Sequence, residues 1–296
     1  VARFVGLARA VSEAVSPYVR TWVTLNEPVV FLLGGYLAGV IPPGVSSFAA
    51  AAKAFEHLLR AHTEAAAELT SRDPGARVGI AHNMLDFAPD RPDSLADRRI
   101  AGAGEALYNR ALLDSLATGD LRWIFPGKGR ASFRVEGLAA SSGFVGVNYY
   151  SRVHLRFRSV IGLAADFFYR DRDGRGLTEM GWEIHPEGLA PVIRQAAATG
   201  LPVIVTENGI ATRNDRLRRA FLHEHALVLA HLKAGGVPVE GYFYWSLLDN
   251  FEWLEGFRPR FGLFEVDYAT GARRRRPSAD LFASLSPGRP LEGASR

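Results

Sequence analysis

The sequence predicts an α/β protein built on a mostly parallel sheet, and three observations carry that prediction. Helix-spaced and strand-type segments alternate along the whole 296-residue chain. The chemically distinctive residues stand just after strand segments, where α/β folds gather their sites. The composition, 48% apolar and 22% charged, is that of a globular chain able to bury a sizeable core.

Residues 3–16 have helical spacing, and a β-branched and aromatic run at 18–25 reads as the first strand. The Ala-rich amphipathic stretch 48–69 is the helix after it, and residues 77–82 are the second strand. The alternation then repeats as helix 95–117, strand 143–149, helix 187–198, strand 202–206, helix 215–234, strand 239–246 and a short helix from Ser278. Residues 151–182, rich in Arg, Asp and Gly, form the longest excursion. A closed eight-stranded (β/α) barrel needs about 250 residues and eight such units. The chain has the length for a barrel but only five strands. No boundary interrupts the pattern, so residues 1–296 are expected to form one domain.

Several function classes fall away on composition. The longest mainly apolar window, 28–40, is shorter than the ~18–20 residues of a bilayer helix and is broken by Gly34, Gly35 and Gly39. No membrane partner is expected. No signal peptide is visible, which leaves a cytoplasmic location as the default expectation. With no cysteine, disulfides and Cys-ligated metal centres are excluded. The net charge of +4 rests on arginine, and the one dense run, Arg273, Arg274, Arg275 and Arg276, reads as a solvated loop. Nucleic-acid binding would need basic residues clustered over a face with interleaved aromatics, a pattern this chain does not show.

Two glutamates stand at strand ends. Glu27 follows Trp22, Val23, Thr24 and Leu25 and lies between Asn26 and Pro28; Glu207 follows Val203, Ile204, Val205 and Thr206 and precedes Asn208 and Gly209. Two carboxylates on facing strand ends suit glycoside cleavage, where one protonates the leaving oxygen and the other attacks or activates water at the sugar carbon. A metal site would need histidines or further carboxylates converging on the pair. The nearest candidates, His223 and His225, sit two apart on a helix and face different ways. No metal or cofactor is therefore expected. The run from Trp245 through Asp249 to Phe251-Glu252-Trp253 joins aromatic faces to an acidic acceptor, which suits a sugar, as does Asn148-Tyr149-Tyr150. Taken singly, Trp245 and Phe251 fit core packing, Asn148 a turn and Glu252 a solvated loop.

Together these segments resemble the family 1 glycoside hydrolases, the β-glucosidase family. Thr24-Leu25-Asn26-Glu27-Pro28 is similar to the family's acid/base motif and Val205-Thr206-Glu207-Asn208-Gly209 to its nucleophile motif. Tyr242-Phe243-Tyr244-Trp245-Ser246 through Phe251-Glu252-Trp253 and on to Arg260-Phe261-Gly262-Leu263 is similar to its C-terminal signature. The resemblance covers almost the whole chain. It implies a (β/α)8 TIM-barrel type of fold in incomplete form, and a retaining β-glycosidase acting on β-glucosides or related oligosaccharides without a cofactor. It further implies Glu27 as acid/base, Glu207 as nucleophile, Asn26 beside the reacting carbon, Tyr150 orienting Glu207, Trp245 as the floor under the ring, and Glu252 and Trp253 on the far hydroxyls. Asn148 joins this substrate-binding set.

Family members are roughly half as long again and begin with three further βα units, which carry a sugar-binding Gln and His and an Arg beside the nucleophile. The chain is therefore expected to supply strands four to eight. An open barrel exposes two strand edges, so self-association or pairing with an N-terminal fragment is expected. Besides an active retaining β-glycosidase, two other readings stand at this point: a catalytically weak barrel that binds sugar, and a structural or assembly protein on an enzyme scaffold.

Overall fold

The structure, a computed structural model, describes residues 1–159 and 164–285. The expected single domain therefore has its last residues, and residues 160–163 of the long excursion, outside the described residues. Helix α1 (Ala2–Val15) leads into strand β1 (Thr21–Asn26), which is followed by the short helix α2 (Pro28–Leu32) and a wide turn of helix over Leu33–Ala38. Helix α3 (Phe48–Arg72) starts where the Ser47 side chain accepts from the Ala50 N–H, satisfying a donor that the first helical turn leaves free. It buries Phe55, Leu59, Ala65 and Leu69, one face at helical spacing, and returns the chain to β2 (Arg77–Pro89).

Next come α4 (Leu95–Glu105), a wide turn over Ala106–Arg110, and α5 (Ala111–Thr118). Residues 95–117, read from sequence as one helix, are thus interrupted at mid-length. The hairpin of β3 (Asp120–Phe125) and β4 (Gly129–Arg134) has no counterpart in the sequence expectation, although Leu121 and Trp123 are buried while Arg122 and Ile124 are exposed, a period-two signal. β5 (Phe144–Ser159) overruns its expected end by ten residues and pairs antiparallel with β6 (Ala164–Phe168), so part of the expected loop is a ribbon. Then follow α6 (Leu189–Ala197), β7 (Val203–Asn208), α7 (Asp215–Ala234) and β8 (Val239–Tyr244). The small antiparallel pair β9 (Phe264–Val266) and β10 (Arg273–Arg275) precedes the final helix α8 (Pro277–Ser284).

The main sheet has the order β1-β2-β5-β7-β8, every neighbouring pair being parallel, with β6 added antiparallel to β5. It is a curled half-barrel with the large apolar core between its outer face and the helices, including Val145, Val147, Val203, Val205, Leu59 and Trp123. Among the described residues, β1 and β8 each have a partner on one side only. Apolar side chains lie open on both, with Val23 44% and Phe243 60% exposed. No helix among the described residues is long and apolar enough to cross a membrane.

The arginine run is corrected by the structure. Arg273, Arg274 and Arg275 form β10 and are exposed, but Arg276 is buried and pairs with Asp249 through both terminal guanidinium nitrogens, Nη1 and Nη2, at 3.0 and 2.9 Å. A buried carboxylate in the preceding loop, invisible to charge counting, claims the fourth arginine.

Candidate active site

The register of the parallel strands puts the acidic and amide side chains in one row at the C-terminal end of the sheet. Asn83 of β2 is level with Asn148 of β5, and Asn148 is level with Glu207 of β7. On β7 the register slips by one residue between Val205 and Glu207, leaving Thr206 extra. Such a bulge re-aims the side chain that follows it. The Thr206 hydroxyl donates to Asn148 Oδ1 at 2.6 Å. Gly146 makes room for it, because a Cβ there would lie 2.9 Å from Thr206 Cγ2.

Glu27 stands between the end of β1 and the start of α2 with φ 50° and ψ 50°, a left-handed conformation that costs a non-glycine residue free energy and is concentrated at functional sites. Its N–H donates to the Ala81 carbonyl at 2.8 Å, so β2 holds the backbone in place. Its carboxylate Oε1 accepts from Asn83 Nδ2 at 3.0 Å and from Asn148 Nδ2 at 2.9 Å. Asn83 is in turn oriented by the Tyr108 hydroxyl, which donates to its Oδ1 at 2.6 Å.

Glu207 accepts from the Tyr150 hydroxyl at 2.6 Å and from the Asn26 side chain. Burial is the strongest influence on its carboxyl and pushes it up to about 7; the Tyr150 and Asn26 hydrogen bonds oppose this, and the Glu27 and Glu252 charges add to it. Burial likewise raises the Glu252 carboxyl, against a hydrogen bond from Trp245. Among the described residues no cation lies in ion-pair contact with any of these three carboxylates. The Tyr150 bond favours the ionised form of Glu207. Tyr150→Phe should therefore move the Glu207 titration to higher pH by about one unit, the size expected for a hydrogen bond to a charge. A carboxyl titration followed by carbon-13 NMR reads this directly, and an unchanged midpoint would refute it.

Glu27, Glu207, Asn26, Tyr150, Trp245, Glu252 and Trp253 all line one cavity of about 360 Å³. Trp245 packs with Tyr150, Trp182 and Phe261, giving the cavity an aromatic wall. Trp253 reaches it from an exposed loop and is 81% exposed itself. The loops after β7 and β8 touch closely: Trp245 N–H donates to the Asn208 carbonyl at 3.0 Å, and a Cβ on Gly209 would lie 1.9 Å from the Trp245 carbonyl oxygen. Only glycine fits there.

Asn148, expected against the substrate, is fully buried and does not line the cavity; its amide is occupied by Glu27 and Asn26, the latter at 3.1 Å. Asn83 was missed because the second strand was expected to end at His82, and Tyr108 because it lies within the stretch expected to be one helix, 95–117. Asn83 carried the same signal as Asn148, an asparagine at a strand end. Away from the cavity, Asp173, His185 and Glu187 bring ligand-type atoms within 4.8 Å of one another. Arg152 pairs with Asp173 at 3.2 Å and Arg175 with Glu187 at 2.6 Å, so these carboxylates already have cationic partners. The cluster reads as an ion-pair network.

The profile described as Glycosyl hydrolase family 1 matches residues 1–288. A β-galactosidase of Pyrococcus woesei is 32% identical over 96% of the chain, and the β-glucosidase A of Thermotoga maritima 31% identical over 98%. The chain spans 61% and 68% of the length of these two relatives. The solved structure of a β-glycosidase from Pyrococcus horikoshii superposes with a TM-score of 0.85 at 34% identity, covering 96% of this chain and 64% of that one. A curled parallel sheet with a glutamate at the ends of β1 and β7, matched over nearly its whole length by that profile, places the chain in glycosyl hydrolase family 1.

Proposed function

We propose that the chain carries the catalytic centre of a retaining β-glycosidase acting on β-glucosides or related sugars, its five parallel strands corresponding to strands four to eight of a (β/α)8 barrel. The observation that carries this reading is the pair Glu27 and Glu207 on one cavity, each held by a different set of hydrogen bonds. Glu207 is the nucleophile: its carboxylate attacks the anomeric carbon as Glu27 gives its proton to the departing glycosidic oxygen, leaving a glycosyl ester on Glu207. Water then enters, Glu27 takes its proton, and the oxygen attacks the same carbon to release the sugar and regenerate the Glu207 carboxylate. Asn26 lies beside Glu207 and would hold the neighbouring hydroxyl. Trp245 would lie under the ring's apolar face, and Glu252 and Trp253 would bind the far hydroxyls. Two carboxylates suffice for this sequence of steps, and neither metal nor cofactor enters it. Proton NMR of the first-formed product tests the proposal: the β-anomer should appear first, and an α-anomer first would overturn retention.

A sugar-binding role without turnover is favoured by one observation, the elevation of Glu207 to about 7 in a cavity where no described cation faces it. Trapping of a glycosyl ester on Glu207, read as a mass increase, separates the two readings.

The open edges of β1 and β8 belong to the same proposal. Unpaired strand edges with apolar side chains invite pairing, so the chain should assemble with a second copy or with an N-terminal fragment. Light scattering at micromolar concentration should report a particle heavier than one 32.3-kDa chain, with an interface of at least about 1,000 Å² in total. A stable, soluble monomer would refute this.

A further inference from the structure

A second and larger cavity, of about 710 Å³, adjoins the catalytic one and shares Val30, Leu85, Tyr108 and Tyr169 with it. The two meet on the Glu27 side. Val30 lies three residues beyond Glu27, and Tyr108 donates to Asn83, which donates to Glu27. Both glutamates line only the smaller cavity, but Val30 and Tyr108, the residues next to Glu27 and to its partner Asn83, line both, whereas Trp245 and Glu252 line the smaller one alone. In the proposed reaction the group that departs with the protonated oxygen lies on the side of the acid, so the larger cavity is where that leaving group points.

Its walls are aliphatic and aromatic. Leu33 and Leu37 come from the turn after α2, Ile100 from α4, Phe87 from the β2 extension, Leu155 from the β5 extension and Phe167 from β6. Small residues also line it, Ala38 and Ala103 among them, while Gly34 and Gly104 let the wall side chains Ile41, Leu155 and Phe87 pack closely, a Cβ at either lying within 3.0 Å of them. Among the described residues its polar side chains are three: the Tyr108 hydroxyl is committed to Asn83, the Lys128 ammonium lies 5.7 Å from the Phe125 ring centroid, and Tyr169 stands at the border with the catalytic cavity. A second sugar would lose the hydrogen bonds of most of its hydroxyls there. An alkyl chain would lose none. Val40 and Phe167, 67% and 62% exposed, continue the apolar lining to the protein surface, so a chain longer than the cavity has an exit.

We propose that the substrates are glycosides of aliphatic alcohols, their alkyl chain occupying this cavity. This rests on the assignment of Glu27 as the acid. The test uses S-linked methyl, butyl, hexyl and octyl 1-thio-β-D-glucosides, which bind without being cleaved, titrated calorimetrically into the purified chain below their micelle-forming concentrations. Affinity should rise by up to about fourfold per methylene, on the order of a hundredfold from butyl to octyl. Ala103→Phe, which fills the cavity, should bring octyl down to the butyl level and leave methyl unchanged. Ala165→Trp, on an exposed strand at the mouth, should also shorten the favoured chain and guards against misfolding of the first variant. A flat series, a slope that survives both variants, or octan-1-ol binding with which octyl thioglucoside does not compete would each overturn the proposal. A slope without hydrolysis of the O-linked octyl glucoside removes the enzyme reading and leaves the alkyl site standing. Hydrolysis indifferent to chain length does the reverse.

Discussion

Glu207→Gln should lower β-glycoside turnover by on the order of 10⁴-fold or more and, in the same protein, raise fold stability above neutral pH. The first effect follows from removal of the atom that forms the glycosyl ester, since an amide oxygen carries no charge to attack with. The second follows from the Glu207 carboxyl standing at about 7 against an ordinary 4.5. Between those pH values the folded chain holds a proton that the unfolded chain has lost. The stabilisation is complete below 4.5 and is lost as pH rises through 7, a difference of about 3 kcal/mol. Glutamine has no such titration. Urea unfolding at pH 5 and pH 8 should show wild type losing roughly that much more than the variant, alongside an assay on aryl β-glucosides. Turnover that survives the substitution sinks the assignment of the nucleophile. Glu27→Gln should behave differently, with a loss of about 10²–10⁴-fold that shrinks for aryl leaving groups needing little protonation.

The two glutamates were legible in sequence because each stands at the end of a strand-type run, buried in β7 and half-open in β1, where a charged side chain leaves the sheet for the loop. The five parallel strands were legible for the same reason. What surrounds Glu27 was not. Asn83 and Asn148 reach it through inter-strand register and Tyr108 through the turn after α4, and no local pattern states which residues come level. The bulge at Thr206 is a further case, since its signature is a mismatch between two strands rather than a residue type. β3 and β4 fall in a stretch to which the sequence expectation gave no element, although Leu121 and Trp123 alternate with exposed neighbours. Buried ion pairs are the least legible of all, as the arginine run demonstrates: three of four contiguous arginines are exposed and the fourth is buried.

Arg276→Ala should destabilise the fold by about 3 kcal/mol, the lower end of the cost of breaking a buried ion pair, because Asp249 then keeps one cationic partner, the more distant Arg260 at 3.5 Å. Asp249 is 4% exposed and Arg276 9%. Besides the two guanidinium contacts, the carboxylate accepts from the Gly262 N–H at 2.9 Å and the Val266 N–H at 3.2 Å. Burial works to raise the Asp249 carboxyl, but Arg276 and the Gly262 N–H outweigh it and hold it below its ordinary value. A depressed carboxyl stabilises the fold above its unfolded pKa and loses that effect as pH falls through its folded one. The penalty in Arg276→Ala should therefore be largest near neutral pH and shrink in acid. The pair also ties the loop bearing Glu252 and Trp253 to β9 and the start of α8, so sugar affinity should weaken with stability. Replacing both partners, Asp249→Leu with Arg276→Met, should recover part of the loss, because no buried charge is then left alone. Urea unfolding at pH 7 and pH 4 measures each term. A single variant as stable as wild type would mean that the loop is held by its backbone contacts alone, such as Leu263 N–H to the Ser246 carbonyl at 2.9 Å.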